Sequence, residues 1–147
     1  STFGNKFSQW RAVNFKNNIA LSMPMFDYNV HKTAWKEIAE SAERNYEPGK
    51  FTTFIGYEFT TNSGDLEGGN LHRNVLFESS NYPERPWTRI DSMNPEDLWS
   101  WMDKLRDSGL DSIAIPHNSN GSNGRMFETK YWNGSLVDDQ YVHVKRN

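Results

Sequence analysis

Two histidines and a glutamate stand at the ends of short apolar runs, where a core can hold the backbone while the side chain reaches solvent. The run Ser112-Ile113-Ala114-Ile115 stops at Pro116, and His117 follows, leading the polar stretch Asn118-Ser119-Asn120-Gly121-Ser122-Asn123-Gly124. Phe54-Ile55-Gly56-Tyr57 runs into Glu58. Gly69-Asn70-Leu71 leads to His72, followed by Arg73, Asn74 and the apolar Val75-Leu76-Phe77. Strand ends of this kind hold ligand and metal sites in α/β folds. Two neutral imidazoles and one carboxylate leave open positions on a metal for water and substrate, as a hydrolytic centre requires. The expected metal ligands are therefore Glu58, His72 and His117, acting catalytically through the metal. The chain has no cysteine, so donors are limited to His, Asp, Glu, Asn and water. That set suits a divalent ion such as zinc, manganese, iron or magnesium.

Each residue also has a plainer reading. His117 can be a loop histidine bonded to backbone, Glu58 can pair with Arg73, and His72 can be a satisfied structural histidine. Three such residues at three strand boundaries support one another more than each stands alone. Arg73 and Asn118 adjoin the expected ligands and can donate to an anionic substrate group such as phosphate. For Asn120 and Asn123 turn chemistry is the better reading, because Asn and Gly adopt left-handed backbone easily.

The elements that must position these residues follow from periodicity and capping. Thr33 can cap a helix running to about residue 45, with Trp35, Ile38, Ala39 and Ala42 on one buried face. Pro48-Gly49 ends it, and residues 51–59 and 74–77 read as strands. Residues 81–93, with Pro83, Pro86 and Trp87, form an arm. Asn94 caps the next helix, Pro95 suits its first position, and Glu96 and Asp97 favour the positive end of its dipole. Leu98, Trp101, Met102 and Leu105 form its apolar face, and Gly109 stops it. Strand, helix and strand predict a βαβ unit with parallel pairing. Residues 1–30 have no clean period and read as irregular, and residues 141–144 as a late strand.

Composition limits the alternatives. At 147 residues, 35% hydrophobic and 14% aromatic, the chain is one folded domain or a piece of one. A net charge of −3 without a basic stripe argues against a nucleic-acid partner. No apolar run reaches membrane-spanning length and no signal peptide opens the chain, so no membrane partner is expected and localisation stays open.

Four segments together carry a family resemblance: Pro48-Gly49-Lys50-Phe51-Thr52-Thr53-Phe54-Ile55-Gly56-Tyr57-Glu58, then Asn70-Leu71-His72-Arg73-Asn74-Val75, then Leu98-Trp99, then Ile115-Pro116-His117-Asn118-Ser119-Asn120. They resemble a domain-of-unknown-function family of large bacterial proteins, itself similar to the PHP (polymerase and histidinol phosphatase) superfamily. The resemblance covers roughly residues 35–127. It implies an α/β fold, a partial PHP-like distorted (β/α)7 barrel built from βαβ units. It also implies that Glu58 bridges metals and that His72 and His117 ligate them. The superfamily opens with Asp-x-His-x-His, which this chain lacks, so the chain is expected to be the central portion of a larger protein. Its open sheet edges are expected to be covered by packing or by a homo-oligomer.

The function expected of the parent protein is metal-dependent hydrolysis of a phosphorylated small molecule. The alternative is a non-catalytic scaffold or binding fragment with an incomplete metal site. A third reading, a carbohydrate-binding module, requires Trp87 or Trp132 exposed on a flat face.

Overall fold

The structure, a computed structural model, describes residues 28–64, 68–78 and 80–138. Its order is helix α1 (Tyr28–Asn45), strands β1 (Gly56–Phe59) and β2 (Arg73–Phe77), helix α2 (Pro95–Asp107) and strand β3 (Ser112–Pro116). The three strands form one sheet in the order β1-β2-β3, and both pairings are antiparallel. The chain is thus mixed α/β, as expected.

The parallel βαβ unit is not formed. The arm between β2 and α2 explains why. A crossover helix that followed β2 directly would run back along the sheet and start a parallel strand. Here the arm makes that return instead. It begins beyond Phe77 and reaches Met93, whose carbonyl accepts from Thr61 Oγ1 at 2.8 Å, beyond the opposite end of the sheet. Helix α2 then travels in the direction of β2. It ends where Glu78 N–H donates to the Asp111 carbonyl, and β3 comes back antiparallel. Among the described residues the sheet is open, with no closed barrel.

Helix α2 is set locally. The Asn94 side chain accepts from Glu96 N–H at 2.9 Å, Pro95 occupies the first turn, and Gly109 turns the chain out at φ +86°. Leu98 and Met102 are buried, with Trp101 and Leu105 packed beside them.

Helix α1 departs from its expected start. Thr33 lies inside the helix and donates back to the Asn29 carbonyl. The extra N-terminal turn is held by the arm: Lys32 pairs with Glu84, and the Arg85 guanidinium lies 4.4 Å from the Tyr28 ring centre. Trp35 and Ala39 are buried as expected, but Ile38 is 45% exposed. At 100° per residue it sits about 60° round the helix from Trp35, at the margin of the stripe.

The expected strand 51–59 is short. Phe51 pairs with Glu47 across the Pro48-Gly49 turn, so ladder pairing to β2 begins only at Gly56. The expected strand at 141–144 and most of the irregular segment 1–30 lie outside the described residues.

The core lies between the helices and one face of the sheet. Trp35, Ala39, Ile55, Phe59, Val75, Phe77, Leu98 and Met102 form it. The Trp35 ring meets Tyr57, Phe77 and Tyr82 at 5.6–5.8 Å, mostly edge-on, as ring quadrupoles favour. The opposite sheet face carries exposed Ile113 and Ile115, and it also carries the candidate site.

Candidate metal centre at the sheet rim

Alternation along the strands puts the three expected ligands on one face. Phe59, Arg73, Val75 and Phe77 are buried on the core side, so their neighbours point outward. Glu58 is registered opposite Asn74, and Asn74 opposite Ile115. One step beyond the last sheet pair, Arg73 with Pro116, His117 N–H donates to the His72 carbonyl at 2.9 Å. His72 and His117 therefore face each other across the end of the β2–β3 ladder, with Glu58 diagonal to them. Antiparallel pairing achieves this convergence. It sets the amino end of β2 beside the carboxyl ends of β1 and β3.

The side chains meet. Glu58 Oε1 lies 2.9 Å from His72 Nδ1, and Glu58 Oε2 lies 3.8 Å from His117 Nε2. His72 Nδ1 is buried, and the Glu58 carboxylate lies against it at ion-pairing distance without a regular hydrogen bond. Donors about 2.1 Å from a tetrahedral ion stand about 3.4 Å apart, and the two contacts bracket that spacing. Among the described residues, no group of three or more His, Asp or Glu side chains is arranged to hold a metal ion. The trio is a contact set of two imidazoles and one carboxylate.

One orienting group was not foreseen. Thr60 Oγ1 donates to Glu58 Oε1 at 3.0 Å. Thr60 lies two residues from Glu58, so strand alternation alone could have put it on the same face.

The two expected substrate contacts are placed differently. Asn118 follows His117 directly, is exposed, and holds φ +55° at the head of the tight turn Ser119–Gly121. Arg73 is 6% exposed on the core side, donates to the Leu71 carbonyl at 2.8 Å, and lies 5.2 Å from the Trp99 ring centre. It is not brought to the rim with the histidines. Glu58 instead meets His72 and His117. Trp87 packs against Trp101 at 6.2 Å, while Trp132 is 43% exposed beside Gly64.

Comparison with known proteins bears on identity at the family level. No curated protein and no solved structure matches the chain. The family model described as "Protein of unknown function (DUF3604)" matches residues 3–147, so the chain belongs to the DUF3604 family.

Proposed function

We propose that Glu58, His72 and His117 form a divalent-metal site of a PHP-like hydrolase that acts on a phosphoester. The observation that supports this reading is the convergence of one carboxylate on two imidazoles: Glu58 reaches His72 Nδ1 with one oxygen and His117 Nε2 with the other. The three residues lie far apart in sequence, and only the antiparallel register joins them on one face.

The chain's own residues have distinct tasks. Glu58 offers one oxygen toward each imidazole and would supply negative charge to offset that of a bound cation. Thr60 holds the Glu58 carboxylate in that orientation. Asn118, exposed beside His117, can donate its amide N–H to a phosphoryl oxygen. Arg73 supports the rim from below through the Leu71 carbonyl, immediately before His72. When bound, a divalent ion supplies an acidified water and neutralises charge developing on the phosphoryl group.

The test combines metal analysis of the purified protein with calorimetric titration of manganese or zinc and an assay on a generic phosphodiester. Stoichiometric metal and hydrolysis, both lost in His117→Ala and Glu58→Gln, support the reading. Absence of metal uptake under saturating manganese or zinc overturns it. Metal uptake without hydrolysis would instead favour the scaffold reading.

A further inference from the structure

The rung that joins His72 to His117 is the last of its ladder, and the end of a ladder frays first. The chain does not leave it open. Beyond that rung, Asn70 N–H donates to the Gly121 carbonyl at 2.9 Å, and Asn123 Nδ2 donates to the Gly68 carbonyl at 3.2 Å. On the other side, Leu71 N–H donates to the Thr61 carbonyl at 3.0 Å, and Ser63 N–H to the Gly69 carbonyl at 2.9 Å. The loops that follow β1 and β3 are thus laced together directly behind the two histidines.

The closeness of this lacing depends on two missing side chains. A Cβ on Gly69 would stand 2.5 Å from the Ser122 carbonyl oxygen, a backbone atom that cannot swing aside. A Cβ on Gly121 would stand 2.7 Å from Asn70 Nδ2, the tip of a side chain that can turn aside, so the demand there is milder. Gly121 does not have positive φ, so its need for glycine is the space alone. Ser122, whose carbonyl a Gly69 side chain would meet, is 1% exposed.

We infer that Gly69 and Gly121 are positioning residues of the candidate centre: they let the 68–71 and 117–125 segments close into a clasp that fixes His72 against His117. The clasp rests on the metal reading only for its purpose. Its effect on the two histidines is measurable without metal.

The experiment uses the full 147-residue chain and two readouts. One is amide hydrogen exchange of His117 in metal-free protein. The other is manganese affinity by calorimetry. Gly69→Ala is expected to speed His117 exchange at least about tenfold while central β2 amides keep their rates. It is also expected to weaken manganese binding about 10–100-fold, the scale of lost second-shell support. Gly121→Ala acts in the same direction more mildly. Adding Asn70→Ala to it restores both readouts, because the Asn70 side chain is what the new methyl meets. Gly109→Ala is the control. Gly109 has φ +86° and open space around it, so alanine there lowers the melting temperature without selectively exposing His117.

Unchanged His117 exchange in folded Gly69→Ala overturns the clasp; should that variant fail to fold, unchanged exchange in Gly121→Val, which demands more room than one methyl, overturns it, as does failure of Asn70→Ala to reverse an effect at position 121. Should the parent chain bind no manganese while His117 exchange follows the expected pattern, the clasp stands and the metal reading falls.

Discussion

At the scale of single residues, the centre is decided by which side of a strand a side chain leaves. His72 and Arg73 are adjacent in sequence, yet one faces the rim and the other lies under Trp99. Period-two alternation makes such neighbours diverge, so adjacency to a ligand was the wrong guide to Arg73 and parity the right one. The same parity joins Glu58 to Thr60. Thr60→Val is expected to weaken manganese or zinc binding about tenfold, since it removes one orienting hydrogen bond from the carboxylate. Because Thr60 is exposed, the melting temperature should hold. Calorimetric titration beside a thermal melt checks both halves of that expectation.

At the scale of elements, legibility followed how local the determinants are. Helix α2 was readable to within a residue because its signals lie within its own first and last turns. Replacing Asn94 with alanine leaves the Glu96 N–H without its acceptor. It is expected to cost about 1 kcal/mol in urea unfolding. Helix α1 was readable in its middle but not at its start, where Tyr28 and Lys32 are held by the arm across a long sequence separation. Strand β1 was read too long because residue 51 pairs locally with residue 47. Nothing in the β-propensity of Phe51 to Ile55 distinguishes those two outcomes.

At the scale of the whole molecule, the arm at residues 80–94 is the organising piece. It carries the chain from one end of the sheet to the other and thereby makes β3 antiparallel. Arg85 and Asp91 pin it: Arg85 Nη1 and Nη2 reach the two Asp91 oxygens at 2.8 and 2.5 Å, and Thr88 N–H adds a third bond at 2.8 Å. Burial alone would raise the Asp91 carboxyl. The Arg85 bonds, the Thr88 N–H and the Tyr28 hydroxyl outweigh it and hold the group below its ordinary value. A carboxyl depressed in the folded state contributes stability that is fully present above its unfolded pKa, near 3.9. That contribution is lost as pH falls through the lower folded value. Asp91→Asn should therefore reduce stability at neutral pH and flatten the loss seen below about pH 4, as read by urea midpoints across pH. The core beneath the arm is tightly filled. Leu98 is fully buried, and Leu98→Ala is expected to cost about 2–5 kcal/mol by the same measurement.

The sequence by itself determined the elements whose signals are short-range: the cap and stop of α2, the identity of three apolar strands, and the placing of Glu58, His72 and His117 at strand ends. It also contained the family, since those motifs lie within the matched residues 3–147. Only the tertiary structure decided that the strands run antiparallel, that Arg73 turns inward, and that the three candidate ligands touch. Direction depends on the path of an irregular arm, braced within itself by Arg85–Asp91 and held against α1 through Lys32 and Tyr28, and no local propensity encodes a path. Contact depends on register, which emerges when a buried face and laced loops select one alignment from several that local pattern permits.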